Sequence, residues 1–541
     1  MQKDHPSFKR FSRDDVKGVL REEILNLLPD AFFKDPISSI QKMNGEVIEK
    51  SKLRFAAIFT LPNGRRIFLK RDLTKGWLES LKYVFLPTKA RKEWFIAYQS
   101  QKRSLNIPQP FGWMEKVHRG FVKESYYLSE AMGLGVSLIE DLLVLRESSW
   151  INELAKMVRK IHDAGLFHKD LHAGNFLRNG QSLFLIDLHR ANIIRALSLN
   201  QRLWNLSQLF HSLRTIWQES DRLRFIEKYF EGDPLNFQKK RELIQNIHSF
   251  MDRFQERQWR SRTKRCLAES TEFSVERERG TTYYHRRDFP LDILKEMAKE
   301  HLQFTSKKPS DLLKFSPETT VSLLGEWGKK IGVKHYHPTK IWDRVKEHFR
   351  RSKGMRAWIA GNGLKARGIP TLNPLGLAEE RDWLGLKESF FFMEVLEGAQ
   401  ELDRYIVNHL ENLKGRRLFT KVFAQWLSHY HDKDLYHRDM KSCNILVSKN
   451  GETWNFHLLD LEDVRLNKKV SERDLFKSFL QLNTSAPKII TTTDRFRFFK
   501  EYLNLNPIIK NQKVFLRRLI EESRRRGLVY VSPKGVVIEK I

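Results

Sequence analysis

The feature that most constrains this chain is a block that occurs twice. The first copy runs His168-Lys-Asp170-Leu-His172-Ala-Gly-Asn175 and is followed by Leu185-Ile-Asp187-Leu-His189-Arg-Ala191. The second runs His437-Arg-Asp439-Met-Lys-Ser-Cys-Asn444 and is followed by Leu458-Leu-Asp460-Leu-Glu462-Asp-Val464. In each, an aspartate precedes an asparagine by five positions, and another aspartate closes a short apolar run. Asp187 and Asp460 are 273 residues apart, and so are Ser220-Asp-Arg-Leu-Arg-Phe-Ile-Glu-Lys-Tyr229 and Thr493-Asp-Arg-Phe-Arg-Phe-Phe-Lys-Glu-Tyr502. One offset shared by separated segments implies a duplicated domain, because short-period arrays repeat every ~20–50 residues.

At 541 residues the chain is long enough for two such domains. The charged run Arg260-Ser-Arg-Thr-Lys-Arg265 marks the expected boundary, giving domains 1–262 and 263–541. With 37 Phe and 13 Trp, each half can bury a large core. No apolar run reaches the ~20 residues of a membrane span and no secretory signal opens the chain, so a cytoplasmic location is expected. Cys266 and Cys443 are the only cysteines, which excludes a disulfide framework and a four-cysteine zinc site. A net charge of +31 favours anionic partners, among them nucleic acid, a membrane surface or phosphorylated substrates.

The N-terminal segment Ser12-Arg-Asp-Asp15, with Val16, Leu20, Ile24, Leu27 and Leu28 behind it, has the pattern of a capped amphipathic helix. Arg54 to Leu61 and Arg65 to Lys70 flank Pro62-Asn-Gly64 and predict a hairpin whose Asn-Gly turn takes positive φ at both residues. Arg91 to Tyr98 predicts a helix carrying Glu93, Tyr126 to Glu130 a strand entering a hinge, and Ile151 to Ala164 an amphipathic helix leading to the motif. Residues 197–262 read as helical. The second half repeats the order: an opening hairpin from Phe273 to Arg286, a lysine hairpin of Thr319 to Leu324 and Lys329 to Lys334 around Gly325-Glu-Trp-Gly328, and Phe391 to Glu394 at the hinge. Lys70 precedes Asp170 by 100 residues and Lys334 precedes Asp439 by 105.

This order of parts is that of kinase-like phosphotransferases, whose work is to orient a hydroxyl, hold a triphosphate and neutralise developing charge. Asp170 and Asp439 are the candidates to accept the hydrogen bond of the attacking hydroxyl. Asn175 and Asp187, with Asn444 and Asp460, offer the hard oxygens that Mg²⁺ prefers. Lys70 and Lys334 are placed to neutralise the α/β-phosphates of ATP, with Glu93 aimed at Lys70, and Glu130 and Glu394 stand at the nucleotide hinge. His168 and His437 read as supports of their loops. His172 and His189 have no further His or Cys partner spaced to complete a zinc site, and read as polar neighbours of the phosphates.

The constellation resembles the lipopolysaccharide kinase family, the Kdo and core-heptose kinases. Ile186-Asp-Leu-His-Arg-Ala191 is similar to that family's metal-aspartate segment and departs from the D-F-G of protein kinases, and Glu93-Trp94 ahead of Ile107-Pro108 is a further family-like pairing. The resemblance implies an α+β fold of two tandem kinase-like bilobal domains, each with a small antiparallel-sheet N-lobe and a helical C-lobe. It also implies ATP and Mg²⁺, an anionic glycolipid or lipopolysaccharide acceptor at the inner face of the cytoplasmic membrane, and no nucleic-acid partner. Three departures stand out. No G-x-G-x-x-G precedes either lysine hairpin, Ala357-Trp358 takes the place of Glu93-Trp94, and Asp460-Leu-Glu462 replaces Asp187-Leu-His189. The second departure leaves Lys334 without its expected glutamate, so the first domain is expected to be the catalyst and the second to bind nucleotide more weakly. The rival readings are an atypical protein or small-molecule kinase and a catalytically degenerate scaffold that binds anionic lipid.

Overall fold

The computed structural model describes residues 8–50, 54–74, 76–132, 136–140, 149–232, 237–307, 314–326, 329–338, 342, 344, 347, 350–532 and 535–540. The chain forms two compact units, Met1–Gln255 and Glu256–Ile541. Residues 327 and 328 of the Gly325 to Gly328 turn lie outside the described residues.

The first unit opens with strands β1 (Phe8–Arg13) and β2 (Val16–Arg21), paired antiparallel, where the sequence pattern predicts a helix. The two patterns coincide here, because a spacing of four between Val16 and Leu20 satisfies a period of two as well as a helical turn. Gly18 decides for the strand: a Cβ there would meet the Trp113 carbonyl at 2.4 Å, so the backbones approach as only glycine permits. Asp14 turns the hairpin at φ 49°. The helical pattern starts later, in α1 (Glu22–Leu27), α2 (Asp30–Lys34) and α3 (Pro36–Lys42).

Strands β3 (Glu46–Lys50), β4 (Arg54–Thr60) and β5 (Arg66–Leu73) follow, then helices α4 (Gly76–Phe85) and α5 (Lys89–Lys102), then β6 (Pro110–His118) and β7 (Phe121–Glu130). The sheet order β1-β2-β6-β7-β5-β4-β3 puts the lysine strand β5 between β4 and β7. Between β4 and β5 only Gly64 takes positive φ, at 80°, and the expected two-residue turn is replaced by a wider loop closed by Leu61 N–H to Arg65 O. Pro62 explains this: its fixed negative φ and missing N–H suit a broader turn. Along β5 the period of two sends Ile67 and Leu69 into the core with Phe32, Phe55 and Phe59, and turns Lys70 to the face crossed by α5.

The helical lobe is built from α6 (Ser149–Asp163), α7 (Leu199–Ser212), α8 (Glu219–Tyr229) and the first part of α9 (Phe237–Lys264), which runs on past Gln255. Ile151, Leu154, Val158 and Ile161 bury one stripe of α6 against Leu206, Leu209 and Phe210 of α7 and Phe225 of α8.

The second unit repeats the sheet with β8 (Phe273–Glu278), β9 (Thr281–Arg286), β10 (Lys314–Ser316), β11 (Thr319–Glu326), β12 (Lys329–Tyr336), β13 (Pro374–Asp382) and β14 (Gly385–Glu394), ordered β8-β9-β13-β14-β12-β11-β10. One helix, α10 (Leu291–Lys307), covers the face that α1 to α3 cover in the first unit, packing Leu294 and Met297 on Ile331 and Val333. Helix α11 (Lys353–Ala366) crosses the opposite face, as α5 does. These two units are the tandem kinase-like α+β domains of the sequence reading. Among the described residues no helix is long and apolar enough to cross a membrane.

A buried histidine–tyrosine pair recurs between helices of both units, in the second between the helices Leu413–Asp432 and Thr492–Leu505. His162 Nδ1 lies 2.7 Å from Tyr229 Oη, and His431 Nδ1 2.7 Å from Tyr502 Oη. Burial holds both imidazoles neutral, with pKa values pushed down to about 3. Between about 3 and 6.5 the unfolded chain therefore carries protons that the folded chain excludes, so stability is highest above 6.5 and falls as pH drops. In urea unfolding, each histidine is expected to contribute a slope approaching about 1.4 kcal/mol per pH unit below 6.5. A His162→Gln/His431→Gln variant should lose part of that slope. A parent midpoint unchanged from pH 7.5 to 5.5 would contradict this account.

Candidate active site

In the first unit, Lys70 reaches two carboxylates from different elements. Its Nζ donates to Glu93 of α5 at 3.1 Å and to Asp187 Oδ1 at 2.5 Å. Glu93 is buried in the second turn of α5, whose start is fixed by Thr88 Oγ1 accepting from Arg91 N–H. Burial opposes the lysine charge, but Glu93 and then Asp187 outweigh it and raise the Lys70 pKa. Asp187 is half-buried, which opposes its charge, yet His189 and Lys70 hold its carboxyl far below the usual carboxylate range. His189 Nδ1 lies 2.6 Å from Asp187 Oδ1.

Asp187 sits at φ 61° and ψ 50°, a left-handed conformation that aspartate tolerates better than most residues. His168 supports it from behind. The Asp170 N–H donates to His168 Nδ1 at 3.2 Å, so the proton is on Nε2, which donates to the Asp187 carbonyl at 3.0 Å. One neutral imidazole thus ties the Asp170 loop to the Asp187 segment. Asn175 Nδ2 donates to the Asp170 carbonyl at 2.9 Å, and Arg190 Nη1 donates to Asp170 Oδ2 at 2.5 Å.

The second unit reproduces the support. The Asp439 N–H donates to His437 Nδ1 at 3.2 Å, and His437 Nε2 donates to the Leu459 carbonyl at 3.1 Å. Asn444 Nδ2 donates to the Asp439 carbonyl at 2.8 Å, and Asp460 is left-handed at φ 46°. The Asp439 carboxylate takes hydrogen bonds from Lys441 Nζ at 3.1 Å, Gln481 Nε2 at 3.1 Å and Asn444 Nδ2 at 3.2 Å.

The lysine environment corrects the sequence reading. Lys334 is not without a glutamate: its Nζ donates to Asp460 Oδ1 at 2.6 Å and to Glu462 Oε1 at 2.7 Å. Ala357, at the helix position of Glu93, is buried among apolar side chains. The carboxylate stands not on the helix but in the segment after Asp460, where the first unit has His189. Burial again opposes the charge, and Glu462 followed by Asp460 raises the Lys334 pKa. Both lysines therefore sit between two carboxylates, and the stated reason for weaker nucleotide binding by the second domain falls away. The sequence held the signal as a pair of changes, glutamate lost at 357 and gained at 462, but only their proximity makes the pair one exchange.

Glu130 and Glu394 end β7 and β14 beside the lysine strands, paired in register with Ile67 and Ile331. Their backbone N–H groups donate to Gln109 O at 2.8 Å and Asn373 O at 3.0 Å. Arg190, Lys441 and Gln481, which hold the catalytic-loop aspartates, were not expected from spacing, because they come from the metal-aspartate segment, the loop itself and a distant helix.

The residues fit a hard divalent cation. Asn175 and Asn444 use their amide Nδ2 on the loop carbonyls, which leaves Oδ1 as the end that can ligate a cation. Glu93, Asp187 and His189 also present ligand atoms within 4.8 Å of one another, but the Lys70 ammonium already bridges the two carboxylates. The 640 Å³ cavity of the second unit lies between Phe419, Phe423, Phe479 and Leu519 and includes none of Lys334, Asp439 or Asp460.

A sheet lysine held by carboxylates, a loop aspartate and asparagine five apart, and a second aspartate behind them define a kinase-like phosphotransferase. The sequence profile of the lipopolysaccharide kinase (Kdo/WaaP) family matches residues 38–229 and 318–502. The chain belongs to that family, and carries its domain twice. It is 28% identical over 228 residues to the lipopolysaccharide core heptose(I) kinase WaaP of Escherichia coli (strain K12), across 37% of this chain and 83% of the relative. It is 22% identical over 171 residues to the 3-deoxy-D-manno-octulosonic acid kinase of Pasteurella multocida (strain Pm70), across 30% of this chain and 69% of the relative. Among solved structures, WaaP in complex with acyl carrier protein aligns with 41% of this chain and 91% of its own, at 22% identity and a TM-score of 0.31.

Proposed function

We propose that this chain transfers the γ-phosphoryl group of ATP to a sugar hydroxyl of lipopolysaccharide or a related glycolipid at the inner face of the cytoplasmic membrane, and that the first unit carries the transfer. The observation that supports it most is the Lys70 cluster: Lys70 is held by Glu93 from α5, an element independent of the Asp187 segment. In the second unit both carboxylates on Lys334 come from one short segment, Asp460 to Glu462. A lysine anchored from a separate helix keeps its position whatever the metal-aspartate segment does.

Asn175 and Asp187 would hold Mg²⁺, which when bound neutralises charge on the phosphates. Lys70 supplies a fixed positive charge for the α/β-phosphates. Asp170, steadied by Arg190, accepts the hydrogen bond of the attacking hydroxyl and orients it, so the rate is gained by placement and preorganised charge. His168 keeps the Asp170 loop and the Asp187 segment in one register.

The test is incubation of the full chain with labelled ATP, Mg²⁺ and a panel of lipopolysaccharide core and lipid-linked sugar fragments beside a protein substrate mixture. Label in a glycolipid that depends on Mg²⁺ is the expected result. Label in protein with none in any glycolipid would transfer the reading to a protein kinase.

A further inference from the structure

Helix α4 is inside out. Its small polar residue, Ser80, is 4% exposed and faces the protein, with Oγ 3.5 Å from the Val122 carbonyl of β7. Its largest apolar residues face away: Trp77 is 73% exposed and Phe85 81%, and Leu78, Leu81 and Val84 are exposed with them. At a helical advance of about 100° per residue these five side chains occupy one arc of about 120°. A surface helix of a soluble domain normally points such an arc at the core, and contiguous exposed apolar patches mark interaction sites. Lys82, exposed on the same helix, borders the arc. From 75 to 92 the sequence carries five basic residues, Lys75, Lys82, Lys89, Arg91 and Lys92, against one acidic residue, Glu79.

We propose that α4 is a membrane-docking helix that lies in the plane of an anionic lipid surface, its Trp77–Phe85 face in the acyl boundary and Lys82 among the headgroups. The chemistry selects this occupant. An apolar stripe with tryptophan at one end and phenylalanine at the other, bordered by the exposed Lys82 within a sequence stretch of net positive charge, matches a surface that is anionic outside and hydrocarbon inside. A second copy of the chain would bring the same net positive stretch against this one. The location suits the role, because α4 directly joins the Lys70 strand to the Glu93 helix, so docking would hold the catalytic lobe at the membrane. In the second unit Trp342, placed likewise between the Lys334 strand and the Ala357 helix, is also 73% exposed.

The proposal rests on the glycolipid reading only in its choice of membrane, and vesicle binding without nucleotide separates its failure from failure of that reading. The full chain is sedimented with phosphatidylethanolamine vesicles with and without phosphatidylglycerol. The parent is expected to bind the anionic vesicles, and Trp77→Ser/Phe85→Ser to lower its partition coefficient about tenfold with unchanged thermal unfolding. Lys82→Glu should weaken binding at low salt and matter less at high salt. Equal partitioning of parent and double variant would overturn the proposal. So would a parent that ignores vesicles and self-associates through this face in sedimentation velocity.

Discussion

Asp170→Asn is expected to lower ATP-dependent labelling of glycolipid by about 10²–10⁴-fold, the span of a general-base contribution. On the proposed reading the loss should fall on kcat, because Asp170 would meet the acceptor hydroxyl while Lys70 would hold the nucleotide from the sheet. The fold should survive: the carboxylate's partner is the half-exposed Arg190, and the backbone link to His168 does not involve the side chain. Asp439→Asn is expected to leave most labelling in place. The reverse pattern, with activity lost only on Asp439→Asn, would assign transfer to the second unit and remove the argument built on the independent helix carboxylate.

The exchange at Lys334 carries the second large effect. Ala357→Glu alone should destabilise the second unit by about 3 kcal/mol, because it buries a third carboxylate where one lysine already serves Asp460 and Glu462. Combining it with Glu462→His rebuilds the first unit's set of helix glutamate, left-handed aspartate and nearby histidine, and should recover most of the loss. Urea unfolding of the four members of this cycle measures the coupling. Additive effects of the two substitutions would show that positions 357 and 462 are independent and that the exchange is coincidental.

Much of the site was legible in sequence because its parts are local. An aspartate and an asparagine five apart share one loop, and an aspartate ending an apolar run is placed by the strand it ends. The lysine hairpins, the helix with Glu93 and the duplicated helical segments were legible because hydrophobic periodicity records which face of an element is buried. The N-terminal segment was misread because the spacing from Val16 to Leu20 suits two periods at once, and the close approach of Gly18 to Trp113 exists only after the sheet has formed. The Asn63-Gly64 turn was misread because Pro62, ahead of the pair, favours a wider loop.

The sequence by itself determined that two copies of a phosphotransferase domain are present, since loop spacing and strand period are properties of the chain over a few residues. Tertiary structure decided which charges meet. Lys334 and Glu462 are 128 positions apart, and nothing in local spacing says that a carboxylate lost from a helix is replaced from a loop across the site. It also decided that the apolar arc of α4 faces outward. A periodic pattern fixes that a helix has two faces, and only the neighbouring sheet, by binding Ser80, fixes which of them is turned to the protein.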